Sequence, residues 1–96
     1  MHAQSDIIKQ IQIYLQTTNC TSAFVFGSFA RGDADDESDI DIIVELPEPI
    51  KAESWQAIRA NLESISKRKV DLFRMDRILR YAKEHIVNEA IRIYPK

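Results

Sequence analysis

Residues 26–46 read FGSFARGDADDESDIDIIVEL, a stretch that holds both glycines of the chain and seven of its fifteen acidic residues. A run of charge is ordinarily a solvated loop. The last part, SDIDIIVEL (38–46), resists that reading because its acids alternate with β-branched residues. In an extended strand alternate side chains share a face. Asp39 and Asp41 then point one way, and Ile40, Ile42 and Val44 form the apolar side. Two strand steps span about 6.6 Å, close enough for both carboxylates to converge on one cation or two. Aspartate is depleted in strands, so an aspartate pair beside the core suits a structural strand poorly. A divalent ion relieves the repulsion between such carboxylates. Asp33, Asp35, Asp36 and Glu37 lack the alternating apolar support and read as solvated loop.

Immediately upstream, TSAFVFGS (21–28) is rich in aromatic and β-branched residues and runs into Gly27. It reads as a strand feeding a tight turn. Gly27 lets a ligand approach the backbone, and Ser28 can begin a short helix whose free N–H groups and hydroxyl face an anion. Alone, the dipeptide fits an ordinary strand-to-helix turn equally well. Two better-known motifs fail here. Gly27 to Gly32 matches the first half of a P-loop, but Asp33 and Ala34 stand where Lys and Ser/Thr are required. A calcium loop begun at Asp33 would put Ser38 at the glycine turn and Val44 at the bidentate acid.

Working outward, SDIIKQIQIYLQ (5–16) spaces Ile7, Ile8, Ile11 and Leu15 as a helix, with Ser5 as its N-cap. ESWQAIRANLESISK (53–67) carries Trp55, Ile58, Leu62 and Ile65 on one helical face. KVDLFRM (69–75) is a third strand, DRILRYAKEHIVNEA (76–90) a last helix, and IRIY (91–94) a final strand. Strands interleaved with helices indicate an α/β domain with a small, helix-backed sheet. At 96 residues the chain makes one domain, 1–96, with a single modest core.

Composition excludes several classes. The chain is 45% apolar and 29% charged, ordinary for a folded protein. No apolar run approaches the roughly 20 residues of a membrane span, and the N-terminus lacks a signal-peptide pattern. Cys20 stands alone and reads as a small apolar filler in a reducing, cytoplasmic setting. The net charge of −2 hides an asymmetry: residues 1–58 carry three bases against ten acids, residues 59–96 ten bases against five acids. A nucleic-acid-binding domain would be basic overall, so direct nucleic-acid binding is not expected. Lys67, Arg68 and Lys69 either extend the anion site at the Gly-Ser turn or, the preferred reading, follow from a helix C-terminus, which favours cations. His2 and His85 lack metal-ligand spacing, and Tyr14, Tyr81 and Tyr94 build no platform for bases.

Gly-Ser, then ten residues, then Asp-x-Asp on a strand, then an aspartate on a later strand, is far more specific than its parts. It resembles the nucleotidyltransferase superfamily of the DNA polymerase β kind, and within it the minimal nucleotidyltransferase (MNT) proteins. GSFARG and SDIDIIVEL carry most of the match, KVDLF supplies Asp71, and EAIRIY is similar to the family's ending. The resemblance implies a small mixed sheet backed by helices. It also implies that Asp39, Asp41 and Asp71 hold two Mg²⁺ ions, that Gly27 and Ser28 cradle the phosphates of ATP, and that Asp71 helps deprotonate an attacking hydroxyl. Arg31, beside the phosphate turn, either touches the triphosphate or pairs with the acidic loop. Few residues remain to build an acceptor pocket, so the acceptor is expected to be another macromolecule. By resemblance it is a HEPN-class ribonuclease toxin, modified with AMP on a tyrosine within a hetero-oligomer, this chain being the antitoxin. The alternative is a non-catalytic module that neutralises the toxin by occlusion.

Overall fold

The alternating stretch becomes the second strand of a four-stranded mixed sheet. The computed structural model describes residues 4–32, 38–47, 50–78 and 88–95. Within them lie strands β1 (Ser22–Phe26), β2 (Ile40–Glu45), β3 (Val70–Arg74) and β4 (Ile91–Tyr94), with helices α1 (Gln4–Leu15), α2 (Gly27–Arg31) and α3 (Ala52–Ser66). The strand order is β3-β2-β1-β4. β1 pairs antiparallel with β2 and β4, whereas β2 and β3 are parallel. A parallel pair needs a crossover between its strands, and α3 supplies it.

One face of the sheet holds the core. Ala23 and Val25 of β1, Ile40, Ile42 and Val44 of β2, Val70 of β3 and Ile93 of β4 are all buried there. Ile7, Ile11 and Leu15 of α1 and Ile58 and Leu62 of α3 close over them in one cluster. This is the helical spacing read from the sequence, now matched to the two-residue period of the strands. Ile8, Trp55 and Ile65 pack at its margin, partly buried. Cys20 is also in this cluster, its thiol donating to the Ser22 carbonyl at 3.0 Å. Burial pushes that thiol's pKa up, against the weaker opposing effect of its backbone hydrogen bonds.

Two local expectations need correction. Ser5 lies inside α1, which begins at Gln4, so it is not the N-cap. The last helix does not begin at Asp76: Met75–Arg77 form a 3₁₀ turn and Ile78 is extended. Most of the remainder of that helix, residues 79–87, lies outside the described residues, as do His2, His85, Tyr81 and the acidic loop 33–37. The basic run at 67–69 begins at the C-cap of α3. α3 ends at Ser66, and Lys67 caps it in a left-handed conformation, φ 58°, its N–H bonding the Glu63 carbonyl. Arg68 lies over the Phe29 ring of α2, 5.6 Å from its centroid. Among the described residues, no helix is long and apolar enough to cross a membrane.

Candidate functional site

The face of the sheet turned away from α1 and α3 carries the candidate carboxylates. Register sets its side chains in rows, because paired residues on neighbouring strands point the same way. Phe26, Asp41 and Asp71 form one row across β1, β2 and β3. Phe24, Ile43 and Phe73 form the next. Ile43 breaks the alternation seen in the sequence. It is fully buried although it lies opposite the helix-covered core.

Asp41 and Asp71 are therefore nearest neighbours on adjacent parallel strands, their side chains within hydrogen-bonding reach. Burial pushes the Asp41 pKa above its ordinary carboxylate value, and the Asp71 carboxylate raises it further by repulsion and by the hydrogen bond, with Asp39 adding to the repulsion. Asp39 itself is exposed and precedes Ile40, the first ladder residue, so strand pairing does not hold it in the row. Among the described residues no three acidic, His or Cys side chains already converge as a metal cage. The aspartate that shares a row with Asp41 is Asp71, 30 positions away in the chain, rather than Asp39.

Gly27 completes this corner. It has φ +75°, and a Cβ placed on it would stand 2.7 Å from Asp41 Oδ2. The absent side chain thus makes room for the carboxylate as well as permitting the turn. β1 ends at Phe26 and α2 starts at Gly27, which brings the Gly-Ser turn beside the aspartate row. α2 is held down by Phe29, 3% exposed in the core, and ends where Gly32, φ +80°, donates to the Phe29 carbonyl. Ser28 is the second residue of α2 and Arg31 its last, and their side chains lie outside the described residues.

Two residues that the motif did not point to hold this corner in place. The Glu63 carboxylate of α3 accepts the backbone N–H of Val70 at 3.0 Å, anchoring the first residue of β3 one position before Asp71. Arg68, besides covering Phe29, extends Nη1 to the Ser38 carbonyl at 3.5 Å. It thereby links α2, the approach to β2 and the start of β3. No motif marks either residue, because each acts through a contact that exists only after the crossover has formed.

The donor set suits a hard divalent cation such as Mg²⁺: carboxylate oxygens, crowded by one another, beside a backbone with no side chain in the way. Asp41 and Asp71 are the neighbouring carboxylates that could hold one, with Asp39 two positions before Asp41.

Comparison with known proteins finds relatives of this chain in sequence and in fold. The model of the family "Polymerase beta, Nucleotidyltransferase" matches residues 9–96. A Methanocaldococcus jannaschii protein, whose name proposes it as a protein adenylyltransferase, is 34% identical over 71 residues, 74% of this chain and 76% of its own. Two solved structures share the fold. One, a toxin–antitoxin complex with AMP-PNP, aligns with a TM-score of 0.76 at 21% identity, covering 99% of this chain and 75% of its own. The other holds a tri-AMPylated Shewanella oneidensis HEPN toxin with its MNT antitoxin and aligns with a TM-score of 0.77 at 18% identity, covering 98% of this chain and 74% of its own.

Proposed function

Because this chain belongs to the polymerase β nucleotidyltransferase family, we propose that it transfers AMP from ATP to a tyrosine hydroxyl of a HEPN-class toxin and so acts as its antitoxin. The observation that carries the reading is the in-register Asp41–Asp71 pair set against Gly27. Two carboxylates set side by side, with burial and repulsion pushing the Asp41 pKa up, are poorly suited to holding a fold together and well suited to binding a cation. The names of the similar proteins supply the acceptor class: a protein adenylyltransferase by sequence, and an AMPylated HEPN toxin with its antitoxin by fold.

In this reading the backbone at Gly27 and Ser28 receives the triphosphate, with Arg31 at the far end of the same short helix. Asp39, Asp41 and Asp71 would hold magnesium, which would supply neutralisation of the triphosphate's charge. Asp71 accepts the proton of the attacking hydroxyl. The hydroxyl oxygen bonds to the α-phosphorus, and the bond from that phosphorus to the bridging oxygen breaks, releasing pyrophosphate. Gly27 keeps the Asp41 carboxylate in position by leaving it space, and Glu63 fixes Asp71 by holding Val70. The acceptor must be brought within about 3–3.5 Å of the phosphorus, a task for the docked partner.

The experiment is to incubate the protein with labelled ATP, Mg²⁺ and the HEPN-class partner and weigh the partner by mass spectrometry. The partner should gain one or more adenylyl groups and lose ribonuclease activity. Asp41→Asn and Asp71→Asn should abolish the gain while complex formation persists. A partner silenced without change of mass, or silenced equally by those variants, would establish occlusion instead.

A further inference from the structure

The aspartate row has an aromatic border that the proposed chemistry leaves unused. Phe26 stands beside Asp41 in the row, and Phe73 follows Asp71 by two residues on the same face of β3. Their rings meet across β2, 5.7 Å between centroids and tilted by 52°, a favourable aromatic pairing. Phe26 is half-buried, but Phe73 is 41% exposed. An aromatic ring beside the carboxylate row is thus left partly open to whatever docks on that face.

Phe73 also faces outward along the sheet. β3 is an edge strand. On its outer side runs a groove of about 400 Å³ that Ile50, Trp55, Leu72, Phe73 and Arg74 help to line. Phe73 is thus common to the groove and to the carboxylate face. Within that pair Phe26 is the ring next to the Gly27 turn, and Phe73 is the ring on the strand that carries Asp71.

We infer that Phe73, backed by Phe26, is the positioning residue for the acceptor, selecting a phenolic side chain whose ring rests on it while its hydroxyl reaches Asp71. This rests on the adenylyl-transfer reading and specifies how that site chooses its acceptor. A phenol is rigid, with two rotatable bonds, and carries its hydroxyl at the end opposite its attachment. Ring contact with Phe73 therefore fixes where the oxygen lies, and the chain leading to the tyrosine occupies the groove beyond β3. An aliphatic hydroxyl offers no ring to hold.

The test measures the initial rate of adenylylation of the HEPN-class partner, alongside MgATP affinity, for Phe73→Ala, Phe73→Leu, Phe73→Tyr and Phe73→Trp. Loss of one aromatic contact predicts a rate reduced about five- to tenfold in Phe73→Ala. Phe73→Leu should be reduced nearly as much, Phe73→Tyr and Phe73→Trp should recover, and MgATP affinity should stay within about twofold throughout. Should Phe73→Ala fail to fold, the comparison of Leu with Tyr and Trp decides alone. Full activity in Phe73→Leu would make the ring mere apolar filling and overturn the inference. Weakened MgATP binding would assign the ring to the nucleotide and overturn it too. A wild-type protein that leaves the partner unlabelled overturns the transfer reading itself, an outcome separate from either.

Discussion

Asp41 Oδ2 lies 2.7 Å from the point where a side chain on Gly27 would begin. Glycine is thus required twice at this position, once by its φ of +75° and once by its neighbour. Gly27→Ala should destabilise the protein by about 1–3 kcal/mol, from the left-handed strain and the collision together. In an Asp41→Ala background the collision is gone and the cost should fall to the backbone part. Denaturant unfolding of the four proteins of this cycle measures the difference. An identical cost in both backgrounds would show that the carboxylate does not crowd the glycine.

The Asp41 pKa shift makes a prediction whose sign is definite. The folded state raises this carboxyl above its unfolded value of about 3.9, so the native protein binds the proton more tightly. The associated stability is fully present below about pH 3.9 and is lost as pH rises through the folded pKa. In EDTA at pH 7, Asp41→Asn should therefore melt at or above the temperature of wild type. That advantage should shrink towards pH 4. A lower melting temperature for the variant at pH 7 would mean that the carboxylate is structural.

Nucleotide binding should depend on metal and on the aspartates together. The double variant Asp39→Asn/Asp41→Asn preserves shape and removes the charge that holds the ions. Calorimetry should show MgATP affinity lowered by about tenfold or more, and EDTA should lower wild type to a similar level. Equal affinity in wild type and variant would remove Asp39 and Asp41 from the site.

Glu63 tests whether the site depends on its support. Val70 is 1% exposed and its N–H donates to the Glu63 carboxylate. Glu63→Ala should cost about 1–3 kcal/mol, because the buried donor loses its acceptor. Glu63→Gln keeps an oxygen there and should cost less. Partner adenylylation should fall with Glu63→Ala, since β3 also carries Asp71. A variant as stable as wild type in denaturant unfolding would show that Val70 finds another acceptor.

The strands and the first two long helices could be read from periodicity, because burial on one face imposes a period of two on a strand and about 3.6 on a helix. Ile7, Ile11 and Leu15, or Ile40, Ile42 and Val44, announce their faces without help from the rest of the chain. Ile43 does not, since its burial depends on its place in the sheet and not on its neighbours in sequence. The 3₁₀ turn at Met75–Arg77 was likewise hidden, for the apolar spacing of 76–90 reads as continuous helix.

By itself the sequence determined the kinds of residue available for chemistry: a Gly-Ser turn at a strand end, an Asp-x-Asp opening a second strand, and an aspartate in a third. Those features are local, set by backbone preference and by side chains a few positions apart. Only the tertiary structure decided which of them meet. Parallel pairing of β2 with β3 put Asp41 beside Asp71, while Asp39, nearer in sequence, was left before the first ladder residue. Antiparallel pairing of β1 with β2 pressed Gly27 against Asp41, and the crossover through α3 brought Glu63 to Val70 and Arg68 to Phe29. Strand register is a long-range property: slipping a strand by one residue would turn its side chains to the other face, Asp41 of β2 or Asp71 of β3 among them. That register, fixed by burying Ile40, Ile42, Val44 and Val70 beneath the helices, places the carboxylates together on the side that remains.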